Sequence, residues 1–476
     1  MKRIVSAVSL LAIVLALGWH FRLHEELISR LRPSTVTRAK TPDAPAAPRE
    51  PAPVEARAEN AAFQLALYYL PKATKPARPA LDALLPRYPA LRLATSKDDT
   101  AATVRLAAIP LPEYRPPTVD SLKYSGRGLS DAQVEALQKC DEHLVLDFRY
   151  SPADGYAVLR EAHELLLALA TETGGLLWDE ETRELFTPEA WQERRLDPWK
   201  GPVPVAPTQF TIHLYRSDDL LRAITLGMAK LGLPDLVVED LPASSSSSVG
   251  SLINLAAQTL LEKGRLDAPG RLHVDVAALE DETEKERLTK SYEKDATGKA
   301  DLTLVAGTRE EGDPANRLWE IDFPLAGHAT RLEAQNAFIT GLFGATDAIS
   351  YVQHDEELLA ASRKAKSEFP RLAALARKGF APGERLLLKA PFKTDDGGTE
   401  WMWVEVVTWK GDLVNGVLQN DPYEVSGLKA GARVEFRASD AFDYTHYHPD
   451  GREEGNTTGE ILRRREEKAA PDETKE

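Results

Sequence analysis

Two short stretches near the C-terminus contain the residues best suited to ligand binding or catalysis. The first is EWMWVEVVTW, residues 400–409, which places Trp401, Trp403 and Trp409 close together in a chain with eight tryptophans. Side chains alternate between the two faces of a strand, so these three indoles would share one face with Glu405. The row is either a layer of hydrophobic core or an aromatic surface that binds a ligand or partner.

The charged side chain within this row needs a partner, because burying an unpaired carboxylate is costly. Arg433, Arg437 or a cation of a ligand is available for Glu405. Asn420 precedes Pro422 closely and suits a turn. Under the binding interpretation, three further residues join the site, namely Asn420, Asp443 and Tyr444.

The second stretch, DYTHYHP (443–449), contains two histidines at alternate positions. His446 and His448 would share one face of a strand, and acidic residues lie nearby in the sequence at Asp440, Asp443 and Glu454. Imidazole and carboxylate groups bind zinc or copper, but the sequence identifies no certain third ligand. We therefore predict no cofactor and a polar edge strand here, with a metal site as the alternative.

The rest of the sequence lacks the motifs of the common catalytic and nucleotide-binding sites. It has no G-x-S-x-G elbow, glycine-rich phosphate loop, HExxH pair or EF-hand loop. The single cysteine, Cys140, excludes both an intramolecular disulfide and a metal site with several cysteines. A net charge of −15 argues against nucleic acid as a partner, because phosphate binding needs clustered cations.

The N-terminus has the pattern of a membrane anchor. Two basic residues precede an uncharged run from Ile4 to Trp19. Residues 1–21 are therefore predicted to be a transmembrane signal-anchor in the inner membrane of a bacterium, with the bulk of the chain outside the cytoplasm. A cleaved signal peptide, which would give a secreted or periplasmic protein, is the alternative.

The predicted location and the missing motifs together favour a non-catalytic binding protein. Its partner would be an envelope protein or another envelope component, with contact to the membrane only through the N-terminal segment. The alternative is a hydrolase, metal-dependent or acid/base, that uses Asp443, His446 and His448. A purely structural protein mounted on a spacer is a third class.

Composition and periodicity divide the rest of the chain. Residues 22–60 are rich in proline and alanine, which predicts an extended spacer. Residues 61–198 and 199–353 predict two α+β sandwich domains, and the order of strands and helices in the first is ferredoxin-like. Within the second, DDLLRAITLGMAKLG (218–232) predicts a helix that ends in glycine. A charged tail occupies residues 466–476.

The region between the second domain and the tail has a pattern of its own. A helix is predicted over residues 354–379, where leucines recur at helical spacing before a glycine. Four strands joined by glycine-rich turns follow it. This order predicts a small, partly open β-barrel or rolled sheet with a flanking helix, and an α+β fold class for the whole chain.

Several elements of this region occur together in a known family. In order along the chain they are SEFPRLAA, LLKAPF, EWMWVEV, GVLQNDP, LKAGARVEF and DGREEGNTT. On these elements, residues 354–465 resemble the bacterial domain of unknown function 2314, DUF2314. The resemblance implies a module that occurs alone or joined to other domains and has no established activity. DYTHYHP departs from the family pattern, since Tyr444 replaces an expected tryptophan and the histidines are specific to this chain.

Overall fold

The chain forms two compact units, which are described separately. The described residues before 42 and after 348 form the C-terminal unit, and the described residues between 42 and 348 form the larger unit. The predicted α+β class is confirmed, because the described strands form two mixed sheets and one antiparallel sheet that are flanked by helices. The computed structural model describes residues 37–38, 49–71, 81–96, 99, 102–107, 114–217, 220–344, 355–381, 383–395 and 397–469.

The predicted membrane anchor at residues 1–21 lies outside these described residues. Among the helices that the structure describes, none has the length and apolar character needed to cross a bilayer. The anchor and the location that follows from it stay predictions from the sequence.

The first sheet of the larger unit does not have the predicted ferredoxin-like order. The ferredoxin-like order would place the strand Ala61–Tyr68 between His143–Tyr150 and Thr103–Ala107. In the structure, Ala61–Tyr68 pairs instead with His143–Tyr150 and Leu176–Asp179. Every residue of Leu176–Asp179 is buried, so this strand requires a central position. The seven strands lie in the order Arg92–Leu93, Thr103–Ala107, His143–Tyr150, Ala61–Tyr68, Leu176–Asp179, Glu184–Phe186 and Gly126–Arg127.

Helices pack against the sheets of the larger unit. The longest in its first half, Ala157–Thr173, has a buried leucine face and ends at Gly174, whose φ of 73° suits glycine. Ser130 caps the helix Asp131–Leu137 through a capping box with Gln133. The α-helices of this unit are Leu81–Leu84, Val119–Ser125, Asp131–Leu137, Ala157–Thr173, Pro188–Trp191, Ser246–Lys263, Glu282–Thr289 and Arg331–Phe343.

The second sheet of the larger unit contains the segment that the sequence predicts to be a helix. The prediction of a helix over residues 218–232 is wrong. Leu220–Leu226 is a strand that pairs on both sides, and Met228–Leu231 is a single 3₁₀ turn. β-Branched Ile224 and Thr225 favour the strand, which Gly227 ends with a φ of 116°. The strands lie in the order Arg271–Asp275, Lys299–Ala306, Leu318–Asp322, Asp235–Leu241, Leu220–Leu226 and Thr211–Ser217.

The two sheets of the larger unit share one hydrophobic core. Leu146 and Leu166 from the first half belong to the same cluster as Leu252 and Leu302 from the second. The predicted division at residue 198 therefore falls inside one compact unit. Residues 49–60, predicted to be spacer, also pack here.

The packing of this spacer segment depends on alanines between its prolines. Ala52 and Ala56 are fully buried, and the Ala52 amide donates to the carbonyl of Leu304 at 3.0 Å. An alanine side chain fits closely against a neighbouring strand, and its amide is free to donate where a proline has none. The described end of the spacer is therefore part of the larger unit.

A buried ion pair joins the two halves of the larger unit. The Lys230 ammonium, from the 3₁₀ turn, donates to the Asp179 carboxylate at the end of its strand. Arg195 lies 3.1 Å from Asp179 and 2.9 Å from Glu184, and these four side chains are buried. Burial lowers the pKa of Lys230 to about 8, so the ammonium is still charged at neutral pH.

We expect Lys230→Met to lower the free energy of unfolding of the larger unit by about 3 kcal/mol, because the buried Asp179 carboxylate loses one of its two cations. Chemical denaturation followed by circular dichroism measures this loss. Lys123→Met is the matched control, since Lys123 pairs with Asp120 on the surface. That variant keeps the wild-type stability, and equal stability of both variants would contradict a structural role for the buried pair.

The C-terminal unit is built on one open sheet. Its predicted helix is confirmed as Glu356–Lys378, with Asp355 as N-cap, and a second helix occupies Thr457–Ala469. The outermost of the described strands do not pair with each other, so they do not close a barrel. The strands lie in the order Thr37–Arg38, Arg433–Arg437, Leu413–Leu418, Thr399–Lys410, Arg385–Lys393, Asp443–Tyr447 and Glu453–Gly455.

Candidate functional site

The strand Thr399–Lys410 presents side chains to both faces of the C-terminal sheet. Met402 and Val404 are buried in a core that includes apolar residues of the helix Glu356–Lys378. We call this side of the sheet the inner face. The opposite side, where Trp401 lies, is the outer face.

Trp409 lies on the inner face, which corrects the predicted row of three tryptophans. The strand register shifts between Val406 and Thr408, so Val407 is a bulge and the alternation of side chains reverses beyond it. Trp409 is 4% exposed and packs edge-on against Phe369 of the flanking helix, with ring centroids 5.8 Å apart. This indole belongs to the core.

Trp401 and Trp403 remain on the outer face, where both are partly exposed. Trp401 packs against Phe442, with ring centroids 4.9 Å apart. The Lys389 ammonium lies 5.7 Å from the ring centroid of Trp403. Asn420 accepts a hydrogen bond from the Trp403 amide at 3.3 Å, so its role is to hold the chain after the neighbouring strand.

Glu405 is almost completely buried on the outer face. It lies opposite Leu387 on one side and Val417 on the other. Arg433 is one strand beyond Val417, which puts its Cα roughly 9–10 Å from that of Glu405. Arg437 pairs still further along the sheet with Leu413. The predicted partners of the carboxylate are therefore not its direct neighbours in the register.

Asp443 and Tyr444 lie on different faces of the sheet. Asp443 is buried and accepts hydrogen bonds from the Thr458 amide at 2.8 Å and its hydroxyl at 2.7 Å. It therefore anchors the start of the helix Thr457–Ala469. Tyr444 points into the inner core, and its hydroxyl donates to Glu454 at 2.9 Å. A catalytic group of Asp443, His446 and His448 is not assembled, because alternation separates Asp443 from the histidines.

A second cation–aromatic pair lies beside the first on the outer face. The Arg385 guanidinium is 4.1 Å from the ring centroid of Tyr447, which is its cross-strand partner. Burial lowers the pKa of Lys389, while the nearby Asp443 carboxylate acts in the opposite direction. We call the partly exposed set the outer strip, and it consists of Arg385, Lys389, Trp401, Trp403 and Tyr447.

The two predicted histidines meet two carboxylates at the end of the inner face. His446 Nε2 lies 2.9 Å from Glu384 Oε1, and His448 Nε2 lies 3.0 Å from Glu454 Oε2. His446 Nδ1 is 3.7 Å from the same oxygen of Glu454. The two imidazole centroids are only 4.0 Å apart. We call these four residues the histidine–glutamate cluster.

Glu384 is the member of this cluster that the sequence does not reveal. It is 62 residues from His446 and stands just before the strand Arg385–Lys393. The antiparallel pairing of that strand with Asp443–Tyr447 brings the two together. Only the strand register, rather than a local motif, would have identified it.

A comparison with known protein families agrees with the order of these elements. Residues 355–475 match a family described as an uncharacterized protein conserved in bacteria (DUF2314). The resemblance predicted for the C-terminal region is confirmed. The DUF2314 match covers about a quarter of the chain, and no curated protein and no solved structure matches the chain. Since the family description names no activity, the function has to be inferred from the geometry.

The bulge at Val407 predicts different roles for two tryptophans of one strand. We expect Trp409→Ala to lower the free energy of unfolding of the DUF2314 region by about 3–5 kcal/mol, because it empties a packed core site. Trp403→Ala, at a partly exposed position, costs less than half as much. Urea denaturation of both variants measures the difference, and equal losses would show that the two indoles occupy equivalent sites.

Proposed function

We propose that this protein is a non-catalytic binding protein whose DUF2314 region contacts its partner through the outer strip. The observation that supports this proposal most is the presence of two cation–aromatic pairs on one face of the sheet. Tryptophan, tyrosine and arginine are the residues most enriched where protein interfaces derive their binding energy. Here the two pairs share one face of three adjacent strands that the core holds in place.

The chemistry of the outer strip favours an acidic partner segment with an apolar side chain beside the acidic group. Lys389 and Arg385 each stack on a ring, so their positive charges are oriented while their stems cover apolar surface. A carboxylate of the partner would bind these cations, and an adjacent apolar group would contact Trp401 and Trp403. The partner is therefore proposed to be another protein rather than a nucleic acid.

The cellular location at which the protein binds its partner is proposed from the N-terminal sequence alone. An inner-membrane anchor at residues 1–21 would place the partner among envelope proteins or other envelope components. Cleavage of the same segment would instead release the protein to the periplasm or the exterior. Neither form changes the chemistry of the outer strip.

The hydrolase alternative has no comparable support in its acid/base form. Asp443 is fully buried and holds a helix start, so it is not available to transfer a proton. His446 and His448 could bind a metal without any catalytic activity, so metal binding by these residues would not by itself support the hydrolase alternative.

The outer strip is tested by comparing two double variants in a crosslinking pull-down from native membranes. We expect Lys389→Gln with Trp403→Ser to reduce partner capture roughly 30-fold, which corresponds to a loss of about 2 kcal/mol at an interface hot spot. Lys410→Gln with Tyr423→Ser is the matched control, since it removes one exposed lysine and one exposed aromatic residue outside the strip.

The control also guards against a loss of folding. Both double variants should give the circular dichroism spectrum of the wild type, because all four positions are at least partly exposed. Equal capture by the two variants would contradict a role of the outer strip. Selective loss with the first variant would locate the partner on this face.

A further inference from the structure

The histidine–glutamate cluster is produced by the register of three neighbouring strands. His446 lies directly opposite Glu454 on one side and opposite Leu386 on the other. The pairing of Leu386 with His446, continued by two residues along both strands, places Glu384 opposite His448. Each histidine nevertheless contacts the carboxylate diagonally across from it, at 2.9 and 3.0 Å. The four side chains therefore converge on one point between the strands.

Each carboxylate of the cluster is held by one oxygen and presents the other. Glu384 Oε2 accepts a hydrogen bond from the Ala381 amide at 2.9 Å, which leaves Oε1 facing His446. Glu454 Oε1 accepts from the Tyr444 hydroxyl at 2.9 Å and from Arg371. Its Oε2 faces both imidazoles. Outer contacts of this kind orient the ligands in metal sites.

His446 gives an independent indication of a ligand, because one of its buried ring nitrogens lacks a hydrogen-bond partner among the described residues. Its side chain is 3% exposed, yet Nδ1 has no hydrogen-bond partner among the described residues. A buried polar atom without a partner is uncommon in folded proteins. When a histidine binds a metal through one ring nitrogen, the other usually faces a carboxylate or carbonyl, and carboxylates lie on both sides of this ring.

The distances in the cluster fit a small, tetrahedral ion. Bonds of about 2.0–2.1 Å from zinc to nitrogen and oxygen imply ligand atoms about 3.3 Å apart. Glu454 Oε2 lies 3.7 Å from His446 Nδ1 and 3.0 Å from His448 Nε2, and Glu384 Oε1 lies 2.9 Å from the other ring nitrogen of His446. One atom from each of Glu384, His446 and His448 lies within 4.8 Å of the others.

On these grounds we infer that the histidine–glutamate cluster binds a divalent first-row transition metal ion of the zinc type. Glu384, His446 and His448 are its ligands, and Glu454 is either the fourth ligand or the carboxylate that orients the imidazoles. Two imidazoles favour such an ion over magnesium or calcium, which prefer oxygen ligands. The site is independent of the proposed partner surface, because the outer strip lies on the opposite face.

The bound ion would connect three strands that are joined at this end by backbone hydrogen bonds and by the side-chain contacts of the cluster. They are Arg385–Lys393, Asp443–Tyr447 and Glu453–Gly455. An ion that binds only the folded state stabilises it in proportion to the logarithm of its concentration above Kd. Zinc is therefore expected to raise the melting temperature of the DUF2314 region as well as to bind.

The test is calorimetric titration of the purified full-length protein with zinc chloride. We expect one zinc ion per chain, and a loss of affinity of more than about 100-fold in His448→Ala, because changes even to outer-shell groups cost about 10–100-fold. His273→Ala is the matched control: His273 also pairs with a carboxylate, Asp301, at 2.7 Å, but stands alone on the surface. That variant keeps the wild-type affinity.

A second variant, Glu384→Gln, and a second ion, cobalt(II), provide independent tests of the metal site. Glu384→Gln preserves side-chain volume, so it replaces His448→Ala if circular dichroism shows that the latter does not fold. Cobalt(II) in the wild type gives a visible spectrum typical of tetrahedral coordination, which Glu384→Gln abolishes. The inference would be overturned if the wild-type protein did not bind zinc, or if both cluster variants bound zinc with wild-type affinity. It would also be overturned if magnesium bound the wild type as tightly as zinc.

Discussion

The C-terminal unit depends on one geometric constraint, the alternation of side chains along the strand Asp443–Tyr447. Asp443 and Tyr447 face the outer side, where the first anchors a helix and the second lies beneath Arg385. Tyr444 and His446 face the inner side, where they contact Glu454 and Glu384. Residues that are adjacent in sequence therefore belong to different chemical environments. The outer strip and the histidine–glutamate cluster are separate because of this period of two.

Interruption of the same alternation has an equally large effect two strands away, in Thr399–Lys410. The bulge at Val407 transfers Trp409 from the outer face to the core, while Trp401 and Trp403 stay outside. A bulge is a property of two paired strands rather than of one sequence. The question of whether the tryptophans form a core or a surface therefore has a different answer for each indole.

Local patterns were sufficient to predict elements whose neighbours in space are also neighbours in sequence. The flanking helix follows from its leucine spacing and its terminal glycine, and the ordered sequence elements identify the DUF2314 region. Long-range pairing was not predictable in this way. Leu176–Asp179 took a central place in its sheet, and Glu384 joined His446 across 62 residues.

The wrong helix over 218–232 has a related cause. Leu220–Leu226 has enough leucine to suit a helix, but two strands are available to pair with it, and tertiary pairing outweighed local propensity. Its companion turn then supplies Lys230 to the buried Asp179. A buried charge pair adds little net stability by itself, but losing one partner is costly.

The central claim is that the strand Asp443–Tyr447 separates a metal site on one face of the sheet from the outer strip on the other. Anomalous diffraction at the zinc edge tests this claim most directly, with crystals of the full-length protein grown in the presence of zinc. The account predicts a single peak among Glu384, His446 and His448, with Trp403 and Lys389 on the opposite face of the sheet. A zinc peak bound elsewhere, or His446 and Trp403 on the same face, would contradict it.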